Sequence, residues 1–278
     1  CGAFSDKWYG VAQSCGKDAE KIQVEWGEAI DPEAVRAKLA EGGFDTVTMA
    51  HNETSTGVMN DLAGIAAVVN EFPDVLLVVD TVSSLSAVPV EMDKLGIDVV
   101  LAGVQKALAL PPGLAVFAIS EAALERASTT EGRGYYFDFC EFEKNTVKNN
   151  TPSTPAISLL YALKQKVDSI AEEGLEARFA RHAKLNAMIH TWMAKHGFEN
   201  FAPVGFQSKS LTAIDNTGGR LDVPAFIKAL RAKHNVLING GYGKIKGATF
   251  RISNMGNETE ETMQTLIDQL DDVIPSFL

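Results

Sequence analysis

Two short apolar runs, each ending in a polar turn, restrict what this chain can fold into. Val75-Leu-Leu-Val-Val-Asp80 places five apolar residues directly before a carboxylate. Ile97 to Ala102 is a second such run, and it leads into Gly103-Val-Gln-Lys106. Runs this short and this apolar fit strands buried on both faces of a parallel sheet. Helical patterns separate them. Asp31-Pro32-Glu33 starts a helix, with Asp as N-cap and Pro at the first position, and Gly42-Gly43 stops it. Thr46 to Ala50 reads as a strand, His51-Asn-Glu-Thr-Ser-Thr-Gly57 as a polar loop, and Asp61 to Asn70 as a helix. Strand alternating with helix at this spacing predicts βαβ units and an α/β fold. In open α/β sheets the strand C-termini line the ligand crevice, so Asp80 and Lys106 are expected to face it together.

Each residue has a plainer reading. Asp80 could cap the following turn, and a lysine is solvated by default. Lys106, however, is the only charge between Val99 and Ala118. Its stem could snorkel out of that run. A desolvated lysine also makes a good Schiff-base amine. An amine and an acid facing one crevice are what pyridoxal 5'-phosphate needs: one to hold it, one to pair with its ring nitrogen.

Composition narrows the function classes. The 278 residues are 46% apolar and 22% charged, a globular profile with room for one or two domains. A net charge of −11 with no basic tract argues against nucleic acid. The three cysteines form no C-x-x-C pair, which points to a reducing, cytoplasmic compartment. The histidines show no metal-ligand spacing, so no metal site is expected. Lys106 and Pro111-Pro112 interrupt the apolar stretch Val99 to Ala118, so it reads as strand, turn, strand, and no membrane span is expected. The chain opens on Cys1 with no lead-in element, which suggests a fragment of something longer.

The remaining elements follow from pattern. Ser5 to Cys15 reads as a helix and Lys21 to Trp26, by alternation, as a short strand. Leu114 to Ile119 is another buried strand and Glu121 to Ala127 a helix, while 129–150 reads as an irregular connection. A long amphipathic pattern from Pro155 to Lys195 is broken at Gly174. Strands at Ser210 to Ile214, Val236 to Ile238 and Thr249 to Ile252 alternate with helices at Val223 to His234 and Glu258 to Val273. This divides the chain into a cofactor-binding domain, 1–155, and a linking helix with a smaller α+β domain, 156–278.

Seven motifs carry a resemblance to a known family. They are His51 to Gly57, Val79-Asp80-Thr-Val-Ser-Ser84, Gly96-Ile-Asp98, Gly103-Val-Gln-Lys-Ala107, Pro111-Pro-Gly113, Asn150-Thr-Pro152 and Phe250-Arg-Ile252. In this order they resemble the class V aminotransferases, closest to the alanine–glyoxylate, serine–glyoxylate and serine–pyruvate group. The resemblance implies the fold-type I transferase architecture: a mostly parallel sheet with helices on both faces, incomplete at its N-terminus, and a smaller C-terminal domain. It implies Lys106 as Schiff-base lysine and proton shuttle, and Asp80 as partner of the pyridinium nitrogen. It further implies Val82 under the ring, Phe4 stacked on it, Thr54 at its phenolic oxygen and Gln105 at the phosphate. Asn150 and Thr151 would reach the phosphate of a neighbouring subunit, so the working unit would be a homodimer with shared sites. Arg251 would grip the substrate carboxylate with two prongs. The expected activity is transamination between serine or alanine and glyoxylate or pyruvate. Two departures bear on it: no small-residue loop and helix precede Cys1 to cradle the phosphate, and Lys148 stands where relatives often carry tyrosine. The alternatives are phosphoserine transamination, which needs an extra anion site near Arg133 or Lys148, and a truncated, non-catalytic relative. A cysteine desulfurase fits less well, because Gln105 stands where those relatives carry histidine before the lysine.

Overall fold

The structure is a computed structural model describing all residues, 1–278. It begins with α1 (Ala3–Ser14), α2 (Pro32–Ala40), β1 (Thr46–Ala50) and a tight hairpin of β2 (Asn52–Glu53) and β3 (Val58–Met59). Then come α3 (Leu62–Val69), β4 (Leu76–Asp80), the single turn α4 (Met92–Leu95), β5 (Val99–Gly103), β6 (Ala115–Ile119) and α5 (Glu121–Thr129). The second half comprises α6 (Phe139–Thr146), α7 (Ile157–Glu173), α8 (Leu175–Lys195), β7 (Leu211–Asp215), α9 (Val223–His234), β8 (Asn239–Gly240), β9 (Thr249–Ser253) and α10 (Glu260–Val273). No helix is long and apolar enough to cross a membrane.

The first sheet has the order β1-β4-β5-β6. β1 and β5 run parallel to β4, and β6 runs antiparallel to β5. The sheet is therefore mostly parallel, as expected. Its helices start as the sequence dictates: Asp31 accepts from the Glu33 N–H at the head of α2, and Asp61 from Gly64 at the head of α3. α2 and α3 bury one face of the sheet through Val35, Leu39, Ile65, Val69, Leu77 and Val79. The other face is less covered. β4 alternates half-buried and buried rather than being sealed on both sides, so Asp80 shares a side with Leu76 and Val78, opposite Leu77 and Val79. Asp98 ties the sheet's near end together: one oxygen accepts from the Leu77 N–H and the other from the Ser120 hydroxyl.

The second sheet, β7-β9-β8, is antiparallel throughout. Helices α8, α9 and α10 cover it with a core that includes Leu185, Ile189, Trp192, Phe226, Phe250 and Leu270. The break at Gly174 is real: it adopts φ of +81° between α7 and α8.

Three expectations change. Lys21 to Trp26 alternates in exposure but pairs with no other strand, so it is extended chain and not a strand. The connection 129–150 contains α6, started by Asp138 accepting from the Cys140 N–H. The strand read at Val236 to Ile238 sits later, at Asn239–Gly240, because its register is set by pairing with Phe250 and Arg251 of β9.

Candidate active site

The polar run after β1 is the largest departure from the sequence reading. It is not a solvated loop but a buried hairpin: His51, Asn52, Glu53, Ser55 and Thr56 are all hidden. Glu53 is fully buried, and its carboxylate accepts from the backbone N–H groups of Phe4, Ser5 and Ser55 and from the hydroxyls of Ser5 and Ser55. It thus caps α1, satisfying donors that would otherwise be orphaned at the helix start. Gly2 is required there, since a Cβ would lie 2.3 Å from the Glu53 side chain.

Fixing α1 fixes two aromatics. Phe4 and Trp8 stand four residues apart and so share one helix face. The Trp8 indole N–H donates to Asp80 Oδ2 at 2.9 Å, while the Val82 N–H donates to Oδ1 at 2.8 Å. Lys106 Nζ lies 5.8 Å from the centre of the Phe4 ring. Tyr242, from the loop after β8, stacks on Phe4 with ring centres 5.6 Å apart. Phe4, Asp80 and Lys106 therefore gather at the C-terminal end of β4 and β5, as the strand-end argument required.

The amine is held by its loop. β5 and β6 are antiparallel neighbours, with Gly103 opposite Ala115, so the segment carrying Lys106 is tied at both ends. The Val104 N–H donates to the Leu114 carbonyl and the Leu110 N–H to the Val104 carbonyl. Within the segment Ala109 takes a left-handed φ of +55°.

Arg251 enters from β9. Its Nε donates to the Gly240 carbonyl and its Nη1 to the Thr54 carbonyl at 2.9 Å, leaving Nη2 without a protein partner. Thr54 is half-buried, and its hydroxyl meets that of Ser83. Val82 is half-buried beside Asp80, and Gln105 is exposed next to Lys106. Asn150 and Thr151 stand apart: both are exposed beyond α6, with the Thr151 hydroxyl donating to the Ser153 carbonyl.

The charges modify one another. Burial, and then the Arg251 charge, hold the Lys106 amine below an ordinary lysine, while Asp80 and Glu53 pull it back. Burial pushes the Asp80 carboxyl above its usual range, against the Trp8 and Val82 donors. Burial lowers Arg251 too, opposed chiefly by Glu53. The result is a half-buried amine with a raised free-base fraction, a carboxylate beside an aromatic ring, and a guanidinium with an open edge. Such a set suits a flat heterocyclic aldehyde and an α-carboxylate. Glu53, Trp8 and Tyr242 were missed from sequence. Only the Phe4–Trp8 spacing carried a signal.

Comparison with known proteins agrees with this geometry. The family model for aminotransferase class-V matches residues 3–266. The chain is 33% identical over 276 residues to the soluble hydrogenase 42 kDa subunit of Anabaena cylindrica, covering 98% of this chain and 72% of that protein. It is 32% identical to a serine–glyoxylate aminotransferase of Arabidopsis thaliana, covering 93% of this chain and 66% of the relative. The solved structure of an alanine–glyoxylate aminotransferase from Nostoc sp. superposes with a TM-score of 0.92 at 30% identity, over 98% of this chain and 73% of that one. The chain belongs to the class V aminotransferases and has the fold-type I architecture of pyridoxal-phosphate-dependent enzymes.

Proposed function

We propose that this chain binds pyridoxal 5'-phosphate through Lys106 and transfers an amino group between a small amino acid, serine or alanine, and a small 2-oxo acid, glyoxylate or pyruvate. The observation that carries the reading is the convergence of Lys106, Asp80 and Phe4 at one sheet edge, with Arg251 reaching in from β9. The substrate pair follows the names of the Arabidopsis and Nostoc relatives.

The residues present fit the ring and formyl group. Each Asp80 oxygen already accepts one hydrogen bond and retains a lone pair for a ring N–H. Phe4 offers an aromatic face near the amine, Val82 lies beside the acid and Thr54 offers a hydroxyl. Gln105, Asn150 and Thr151 are assigned to the phosphate, the last two from a second copy of the chain in a homodimer. When bound, the cofactor supplies an electron sink for the bond broken at Cα.

The chain's own residues do the rest. Arg251 orients the amino acid by its carboxylate through the open Nη2 edge. Lys106, with its lowered basicity, would take the Cα proton and deliver it to C4′ of the cofactor. Asp80 would pair with the ring nitrogen, its Trp8 and Val82 donors opposing the burial that raises its pKa. The phosphoserine alternative asked for an extra anion site near Arg133 or Lys148. The Arg133 guanidinium is already engaged by Asp138 and the Thr130 carbonyl, so that alternative rests on the exposed Lys148.

The test is direct. Borohydride added to the chain with pyridoxal phosphate should fix the cofactor to the peptide carrying Lys106, and Lys106→Ala should abolish this. Equal labelling of both proteins overturns the reading. Incubation with serine, alanine, phosphoserine or aspartate then ranks donors by keto acid formed.

A further inference from the structure

Helix α8 carries an arginine that is almost wholly hidden: Arg178 is 2% exposed. Buried arginines are costly unless every donor is engaged. Here Nη2 donates to the Ala107 carbonyl at 2.7 Å, Nε to the Ser86 carbonyl at 3.1 Å, and Nη1 to Glu173 Oε2 at 2.9 Å. Ala107 follows Lys106 directly. Ser86 lies in the loop after Asp80, takes a left-handed φ of +68°, and donates its own hydroxyl to the same Ala107 carbonyl. One guanidinium therefore ties the loop of the amine to the loop of the acid.

Glu173 is shared. Arg181, one turn further along α8, donates Nε to Glu173 Oε1 at 2.7 Å. Its other nitrogens donate to the carbonyls of Gly256 and Glu258. Those carbonyls follow β9, the strand of Arg251. His182 adds a contact: Nδ1 bonds the Arg178 carbonyl and Nε2 accepts from the Gly256 N–H. Gly256 itself is pressed against Ala109 and the Lys106 carbonyl, where a Cβ would come within 2.8 Å of Ala109.

We propose that Arg178 is a positioning residue for Lys106, and that the Arg178–Glu173–Arg181 bridge sets the spacing between that amine and Arg251 across the two sheets. This rests on the proposed function for its meaning, though not for its test. A merely structural arginine would satisfy the same carbonyls without affecting the amine. A positioning arginine keeps Lys106 in its desolvated place between Asp80, Glu53 and Arg251, so loosening it lets the amine rehydrate.

The experiment titrates Lys106 in the full chain without cofactor. The rate of acylation at Lys106 is followed against pH by peptide mass spectrometry in wild type, Arg178→Lys, Arg178→Met and Arg181→Met, with thermal melting to confirm folding. Arg178→Lys keeps the charge but cannot bridge two carbonyls and a carboxylate. In both Arg178 variants the midpoint should move up toward an ordinary lysine, by roughly one unit, so acylation near pH 8 slows about tenfold. Arg181→Met should move that midpoint less than the Arg178 variants do, because only the Arg251 contribution is loosened. With cofactor and amino acid it should raise KM about tenfold while largely sparing kcat. A folded Arg178→Lys whose Lys106 midpoint equals that of wild type overturns the proposal. So does a wild-type midpoint at the ordinary lysine value. Loss of borohydride trapping at Lys106 in wild type sinks the aminotransferase reading instead, and the titration still decides the role of Arg178.

Discussion

The two sheets are built on opposite plans. Around β7-β9-β8 the core is sealed, and Phe198, Phe226 and Phe250 interlock edge to face beneath α8, α9 and α10. Around β1-β4-β5-β6 only one face is sealed, by α2 and α3. The other face alternates into half-burial and carries Asp80, with Lys106 at its rim. Scaffold strength resides in the first plan and chemistry in the second. Arg251 is the exception, a half-buried guanidinium on the sealed sheet that projects across to Thr54.

The largest effect should come from breaking the sealed side. Phe250→Ala removes a fully buried ring and should cost about 3–5 kcal/mol in urea unfolding. Val78→Ala, on the half-covered face, should cost well under half of that, and equal losses would erase the distinction.

The next effect is a pH dependence on the open side. Burial holds His51 at a pKa of about 4, opposed by Asp61, with Nδ1 lacking a partner. The folded state thus keeps the ring neutral where the unfolded chain protonates it. The stability this contributes is complete above pH 6.5 and is lost as pH falls toward 4, amounting to about 3 kcal/mol at most. His51→Gln should flatten the stability curve over that window, as followed by denaturant titration at several pH values.

Glu53→Gln is smaller and more local. It keeps the shape but weakens five hydrogen bonds to α1 and the hairpin, which should cost about 1–3 kcal/mol. It also removes a negative charge that raises Lys106, so the amine's midpoint should fall further. An upward move would show that α1 had detached.

The smallest effect belongs to the exposed aromatics Tyr136 and Phe137, which touch each other edge to face. Replacing both with Ser should change unfolding stability by less than about 0.5 kcal/mol. Sedimentation of this variant beside wild type would then test the proposed homodimer separately from stability.

Much of this contrast is legible in the sequence, for physical reasons. Val75 to Asp80 and the run before Lys106 announce buried strands because apolar residues end abruptly in charge. Thr249 to Ile252 reads as a strand, but only the family resemblance singles out Arg251 within it. The hairpin after β1 is illegible because His51 to Thr56 is polar, and polarity normally means solvent. Only tertiary donors from α1 reveal why Glu53 can be buried. α6 hides because its Phe139-Cys-Glu-Phe segment lies among glycines and exposed tyrosines. Lys21 to Trp26 misleads in the opposite sense, since alternation describes exposure and not whether a neighbour exists. Arg178 carries little sequence signal, because apart from Glu173 its partners are backbone carbonyls more than 70 residues away.

The reversal of β6 has a consequence for how such a site can be altered. A lysine on a crossover helix could be displaced only by shifting a whole layer of the molecule. A lysine on a short span pinned between Gly103 and Ala115 can be lengthened or shortened residue by residue while every rung of the ladder stays in register. Such a change must still satisfy the contacts that Arg178 and Gly256 make at Ala107 and Ala109, so the reach of the amine is set by those tethers and not by the register of the sheet.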